Sequence, residues 1–598
     1  MNNSDYNLFA SDQDLQEMAK EKAAAFIREE TQFHLGFLPT EQAHPYTLDL
    51  SDVIQSDTRA GLRLMLDVDR DIPSVARRVF LSGSFAELCL AFEKAARDNR
   101  RVCFTGCGST GRLSMILEEM WRQFWEDRAG VSPGDTVRLK DADGNLKDEN
   151  LIKADLGCSI MTGGDRALIR AVENFEDYEA FGARQVEELD LQQGDLLVAI
   201  TEGGETSSVL GTLREAQRRG CKVFLTFNNP ASLLKENLER CRSAIESDDV
   251  TVLDLYTGAM ALTGSTRMQA TTMEMLVIGT AMEIGLNRCL TAKPSIQINT
   301  QIALKNADLF SLLIKDLCGP ESLLGMAHWA EEEMCLYKAD GRITYLAEEY
   351  LLDIFSDTTE RSPTFMLPPF RPSDDTESPV SWAFAKDPAH NSSEAWIHML
   401  RRLPRGLNWT RQDYIRMGAP EYAGEVVPSL DRDEINRYLI GREKDTSRTD
   451  CAESLFLRVF VDSYPGTVKS GEKNLVVGTI TKTAGSVQAD YEVPLNLAES
   501  PVNLWQHLAV KLIFNTVSTG SMAMMGRVKQ NWMIQVDTTN KKLVDRGCRI
   551  ISQIVGIPYE EACRELHLSL LARERFVSQG GQTILSPVVA ALQRRGMM

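Results

Sequence analysis

The sequence predicts an α/β protein with two tandem doubly wound parallel sheets, flavodoxin-like in kind, and a C-terminal helical lid. Three observations support this. Between residues 102 and 227, strand, polar loop and helix follow one another twice with short connections. A second α/β pattern begins after about residue 300, with RITYLA at 342–347, LFLRVFV at 455–461 and NLVVGTI at 474–480. From Leu504 the chain returns to helical periodicity. The expected division is residues 1–300 for N-terminal helices and a ligand-binding domain, 301–503 for a second, degenerate domain, and 504–598 for returning helices and a cap.

In order, residues 12–100 read as helices interrupted around TEQAHPYTLDL (40–50), ending in the amphipathic run Ser84 to Asn99. Strand Val102–Thr105, the loop GCGSTGR and a helix to about Trp125 follow. The polar stretch 126–151 reads as a surface excursion. After MTGGDRALIRAVENFED (161–177) come strand DLLVAI (195–200), loop TEGGETSS (201–208), helix VLGTLREAQRRG and strand CKVFLTF (221–227). LTGSTRM (262–268) is a polar turn entering a long, largely buried helix. The second half has longer connections, such as SPTFMLPPFRPSDDTESP (362–379), and no loop like the first.

Of the 598 residues, 43% are hydrophobic and 25% charged, as in an ordinary globular protein. With 65 basic and 85 acidic residues the formal charge is −20, which argues against a general nucleic-acid or anionic-membrane binder. The twelve cysteines form no CxxC pair, and the seven histidines show neither HxxxH nor HExxH spacing. No metal and no cofactor are expected. The opening residues lack a basic stretch before an apolar core, and no run of eighteen apolar residues occurs, so the expectation is a cytoplasmic protein without signal peptide or spanning helix.

The loop Gly106-Cys107-Gly108-Ser109-Thr110-Gly111-Arg112 lies at a strand-to-helix turn. Glycines let a backbone approach an anion, N–H groups at a helix start point at it, and two hydroxyls add donors. The loop formally matches GxGxxG, the dinucleotide fingerprint. A nicotinamide site wants an acidic residue ending a strand some 20 positions on; Glu126 and Asp127 have that spacing but follow MWRQFW, which reads as helix.

Seven segments narrow the choice: TEQAHPYTLDL, MLDVDRDIP (65–73), FTGCGSTGRLS, MTGGDRALIRAVENFED, ITEGGETSSVLG, LTGSTRM and NTVSTGSMAMMGRVKQNWMIQVDTTNKKLVDR (515–546). Together they resemble, in order, the N-acetylmuramic acid 6-phosphate etherase and glucokinase regulatory protein group of the sugar isomerase (SIS) domain family. The resemblance covers 40–290 and 505–560 well and 300–500 in outline. An etherase is a single such domain, whereas some two hundred residues separate the last two motifs here. That spacing resembles the regulatory layout of two tandem SIS domains and a helical lid, within which the pairing of an etherase dimer could be met inside one chain.

The resemblance implies that Gly106, Gly108, Ser109, Thr110 and Gly111 hold sugar or phosphate oxygens, with Arg112 binding anion or bracing the helix. It also implies contacts from Gly203, Gly204, Thr206 and Ser207, while Glu202 and Glu205 either bond sugar hydroxyls or point outward. Ser265, Thr266 and Arg267 match a third element, where Gln269 replaces the family's next basic residue. Lys542 matches a lysine of the lid. Of the family's two acid/base glutamates one maps onto Glu176, but the other falls on Met120, which cannot carry a proton. Neighbouring Glu119 is turned about 100° away on a helix. The implied function is a sugar-phosphate-binding sensor or regulator, with a protein partner such as a sugar kinase. The alternative is an etherase, or another phosphosugar lyase or isomerase, working through Glu176 and, with a local shift, Glu119.

Overall fold

A computed structural model describes residues 11–172, 174–292, 298–424, 426–463, 469–478, 489–579 and 585–598. The chain enters through α1 (Gln13–Glu29), whose first turn is capped by the Asp12 carboxylate accepting from Asp14 N–H. Single-turn helices cover the stretch expected to interrupt the helices, and α2 (Gly83–Arg97), capped by Ser82, leads into the first sheet.

That sheet contains β1 (Val102–Gly106), β2 (Gly157–Met161), β3 (Leu196–Ile200), β4 (Lys222–Phe227) and β5 (Val250–Asp254). All its pairings are parallel and the spatial order is β2-β1-β3-β4-β5, the order of a doubly wound sheet. Helices α3 (Ser109–Ala129) and α4 (Ser207–Arg218) leave the carboxyl ends of β1 and β3. Thr105 pairs with Ala199, so the ends of these two strands lie side by side, about 4.8 Å apart. In α5 (Gln269–Leu290) every residue from Gln269 to Leu286 is buried, polar Gln269, Glu274 and Glu283 included, as expected for a largely buried helix.

The second half repeats the topology. After α6 (Pro320–Lys338), β6 (Arg342–Leu346) runs into α7 (Leu351–Phe365). Strands β7 (Ala383–Lys386), β8 (Ser454–Val461), β9 (Glu472–Gly478) and β10 (Tyr491–Pro494) complete a parallel sheet. Its order, β10-β9-β8-β6-β7, is the first sheet's order read from the other edge. A short helix, α8 (Ser392–Leu400), follows β7. The strand expected at 474–480 is β9 to Gly478; its last two positions lie outside the described residues.

The chain then returns through α9 (Leu504–Met524), buried between α5 of the first half and α6 and α7 of the second. A two-stranded hairpin, β11 (Val528–Lys529) with β12 (Trp532–Met533), precedes α10 (Lys541–Val555) and α11 (Tyr559–Ser578). Helix α11 packs on both α1 and α10, so the N-terminal and C-terminal helices form one layer. Among the described residues, no helix is long and apolar enough to cross a membrane.

Candidate functional site

Five of the seven segments meet at the carboxyl ends of β1–β4. Gly108 has φ of +55°, accessible to glycine at little cost, and a side chain added there would meet nothing within 4 Å. This leaves a backbone concavity in front of α3. Gly106 serves another purpose, since a Cβ there would lie 2.3 Å from the Thr110 carbonyl carbon; its absence lets strand and helix close on each other. Gly111 packs the same turn against Met161.

Neither α3 nor α4 has a side chain capping its first turn. Their leading N–H groups and partial positive charge therefore face the same space. Ser109 and Ser207 stand at the first position of each helix, both half-buried. The Thr110 hydroxyl instead staples its own loop, donating to Cys107 O at 2.9 Å and accepting from Cys107 N–H at 3.0 Å. The Thr206 hydroxyl lies 3.0 Å from that of Thr201. Gly203 offers its carbonyl to Asn229, and Gly204 turns the loop with φ of +81°.

The C-terminal segment closes the site. Asn531 accepts from the Thr263 hydroxyl and donates to His44 O and to Thr47 Oγ1. The hairpin thus ties the TGSTRM turn to the HPYT turn. Arg546 and Arg549 of α10 grip Glu41, and Arg549 donates at 2.8 Å. Burial works against the Glu41 charge, but the two guanidiniums hold its carboxyl down at about 2.

So anchored, α10 brings Lys542 to within 3.4 Å of Glu205, and Asn540 donates to Glu176 at 2.9 Å. Burial opposes the charge on Lys542, yet the carboxylates of Glu176, Glu205 and Glu41 raise its pKa well above an ordinary lysine. Glu205 is also held by Arg240 at 2.7 Å. Asp177, exposed beside Glu176 and Glu205, is pushed up to about 6 by partial desolvation and by those two carboxylates.

Glu202 is 8% exposed, and one of its oxygens has no hydrogen-bond partner among the described residues. Burial pushes its carboxyl up to about 7, with Lys542 and the Thr266 hydroxyl only partly opposing the shift. A carboxyl raised on folding costs stability as pH climbs from its ordinary 4.5 to its folded value. Replacing Glu202 by Gln is therefore expected to flatten the fall in melting temperature between about pH 4.5 and 7. An unchanged pH profile would contradict that assignment.

Three residues expected at the site, Arg112, Arg267 and Glu119, are engaged elsewhere. Arg112, 3% exposed, donates to Thr359 and Glu360 of α7 and to the carbonyls of Ala167 and Leu168. It braces the two halves, with most of its N–H donors taken up by these partners. Arg267 pairs with Asp357 at 2.7 Å and donates to Thr519, a second tie across the same boundary. Ser265 is buried beside it, while Thr266 faces Glu202. Glu119 accepts from Arg401 at 2.5 Å and lies 3.4 Å from His507, turned towards the second half. Met120 is wholly buried, and its methyl lies near Gly279 of α5. Neither position of α3 therefore presents an acid to the loops. Glu126 belongs to the interior of α3 and bonds Thr136 and Arg401, so no acidic strand end exists there for a ribose.

Asp177 and Asn540 lie inside two of the seven segments without being singled out by them, and Arg240 lies in none; their roles arise only once the segment after β2, the region after β4 and α10 are brought together.

No protein-family model matches the chain. Over 249 residues it is 28% identical to N-acetylmuramic acid 6-phosphate etherase 1 of Bacillus licheniformis, covering 41% of this chain and 67% of that protein. Over 245 residues it is 29% identical to N-acetylmuramic acid 6-phosphate etherase of Yersinia pestis (strain Pestoides F), covering 41% and 69% respectively. Among solved structures, the C-terminal domain of glucosamine-fructose-6-phosphate aminotransferase from Francisella tularensis aligns with a TM-score of 0.39 at 12% identity, over 77% of this chain and 96% of that one. Tagatose-6-phosphate ketose/aldose isomerase from Escherichia coli aligns with a TM-score of 0.38 at 12% identity, over 79% and 94%.

Proposed function

The chain is similar in sequence to the N-acetylmuramic acid 6-phosphate etherases of the SIS group, and on that premise we propose that it binds a phosphorylated sugar and acts as a sensor or regulator. The phosphate sits on the uncapped starts of α3 and α4, with the N–H groups around Gly108, the Ser109 and Ser207 hydroxyls and Lys542 as donors. Glu176 and Glu202 accept from sugar hydroxyls. The observation that favours binding over cleavage is the state of α3: Met120 is in the core and Glu119 is held by Arg401. A regulator of this kind signals to a protein partner, of which a sugar kinase is one class, and works in the cytoplasm.

One observation supports a second reading. Elimination of an ether needs a base for the proton next to the carbonyl and an acid for the leaving oxygen. Glu202, raised to about 7, is protonated over much of the neutral range and could be that acid opposite Glu176. In that reading the chain is a lyase or isomerase whose second acid has moved from α3 to the loop after β3.

Calorimetric titration with fructose 6-phosphate, glucose 6-phosphate, N-acetylglucosamine 6-phosphate and N-acetylmuramic acid 6-phosphate tests the first reading. Saturable binding of at least one, with no thermal stabilisation by NAD, is expected. Stabilisation by NAD alone overturns it. Lactate release from N-acetylmuramic acid 6-phosphate, abolished by both Glu176→Gln and Glu202→Gln, would establish the second reading instead.

A further inference from the structure

We propose that Asp387, His390 and His398, at the carboxyl end of β7 in the second sheet, bind one divalent transition-metal ion of the class that favours imidazole nitrogen, such as Zn2+ or Co2+. One ligand atom from each of the three lies within 4.8 Å of the others. The Nδ1 atoms of His390 and His398 stand 2.7 Å and 3.6 Å from the same Asp387 carboxylate oxygen. Their rings lie almost face to face, with centroids 4.5 Å apart and planes inclined by 30°.

Three ligands around a tetrahedral ion with bonds of 2.0–2.1 Å stand about 3.3 Å apart. The two contacts to Asp387 bracket that value, and no pair of ligand atoms exceeds 4.8 Å, so shifts of about 1–1.5 Å convert the cluster into a coordination shell. Two imidazoles and one carboxylate form a donor set for borderline cations rather than for Ca2+ or Mg2+, which take oxygen.

The surroundings fit an ion. Asp387 is fully buried, and its other oxygen accepts from the N–H groups of Ala389 at 2.8 Å and His390 at 3.1 Å, which fixes the carboxylate. His390 is about one third exposed and His398 one fifth, so an ion can enter from solvent. A cavity of about 260 Å3 adjoins both rings and leaves room for water in the remaining coordination positions. Its far wall, Ser132, Pro133 and Arg138, comes from the excursion of the first half, and Glu394 of α8 faces Arg138 there at 3.8 Å. The cluster uses none of the residues proposed for the sugar phosphate. Its sequence spacing, Asp-x2-His-x7-His, matches neither HxxxH nor HExxH, so no local motif announces it.

The test uses full-length protein, free of any histidine tag and stripped with a chelator that is then removed. Titration with CoCl2 is expected to give visible d–d absorption saturating at one ion per chain, bleached by Zn2+. His390→Ala and His398→Ala should each weaken Co2+ binding at least tenfold, and Asp387→Asn less, measured on protein whose fold is checked by circular dichroism. On the wild type, Zn2+ should protect His390 and His398 from diethyl pyrocarbonate in peptide mass spectra, a readout that needs no variant to fold. Absence of stoichiometric Co2+ uptake, uptake undiminished in both histidine variants, or unprotected His390 and His398 in the presence of Zn2+ would overturn the proposal.

Discussion

Replacing Glu118 by alanine is expected to destabilise the protein by about 3–5 kcal/mol, the usual cost of removing one partner from a buried ion cluster. Glu118 lies on the face of α3 turned away from the loops and is almost wholly buried. Its carboxylate accepts from Arg122 at 2.9 Å, Arg402 at 2.8 Å and Arg405 at 3.1 Å. Arg402 also grips Asp165, and neighbouring Arg401 holds Glu119 and Glu126. The segment RRLPR thus inserts three guanidiniums from the second half into acids of the first. Without Glu118, Arg122, Arg402 and the half-buried Arg405 lose their shared acid, leaving Asp165 to Arg402 and Asp155, 3.7 Å away, to Arg122.

The pH dependence has a definite sign. Burial alone would raise the Glu118 carboxyl, but Arg402, Arg405 and Arg122 hold it far below the ordinary 4.5. A depressed carboxyl contributes its full stabilisation above the unfolded value and loses it as pH falls through the folded one. The gap in urea midpoint between wild type and Glu118→Ala should therefore be constant above about pH 4.5 and narrow below it. A gap under about 1 kcal/mol at pH 7 would mean that the arginines find other partners or water, and that this cluster does not hold the halves together.

How legible this was in the sequence differs by element. β1, β3, β4, β6, β8 and β9 are runs such as LLVAI and LFLRVFV, and they stand where the alternation and apolar content put them. β2, β5, β7 and β10 carry no such signal: GCSIM, VTVLD, AFAK and YEVP have only four or five residues, and the neighbouring strand supplies what their propensity does not. The repeated order of the second sheet needs those short strands, so composition points to the class and only pairing settles the topology.

The site divides in the same way. The conformation at Gly108 and the placement of Lys542 follow from local motif chemistry. The engagement of Arg112 and Arg267 does not, because their partners Glu360 and Asp357 lie on α7, in the half where no motif is shared. An arginine beside a glycine-rich loop is equally suited to phosphate or carboxylate, and only the packing of α7 decides between them.

Lys542→Ala is expected to weaken sugar-phosphate binding some 10–100-fold, which corresponds to about 1.5–3 kcal/mol for a hydrogen bond to a charged group. The size follows from what remains. Lys542 reaches the loops because Glu41 clamps α10 through Arg546 and Arg549, so its Nζ is placed before any ligand arrives. Its removal leaves Glu176, Asp177 and Glu205 around the place where an anion must enter, with Arg240 already bound to Glu205. The variant therefore loses an attraction and exposes a repulsion.

The repulsion has its own pH signature. Asp177, at about 6 in the wild type, protonates as pH falls and removes one opposing charge. Loss of the nearby ammonium moves that titration upward. The ratio of wild-type to variant affinity should thus shrink between pH 7.5 and 5.5. Lys542→Arg keeps the charge in a wider, planar group and should recover part of the affinity. Calorimetry of the three proteins at both pH values decides the matter. Equal affinity of Lys542→Ala and wild type would remove the lid from the binding site and leave the helix starts to hold the phosphate alone.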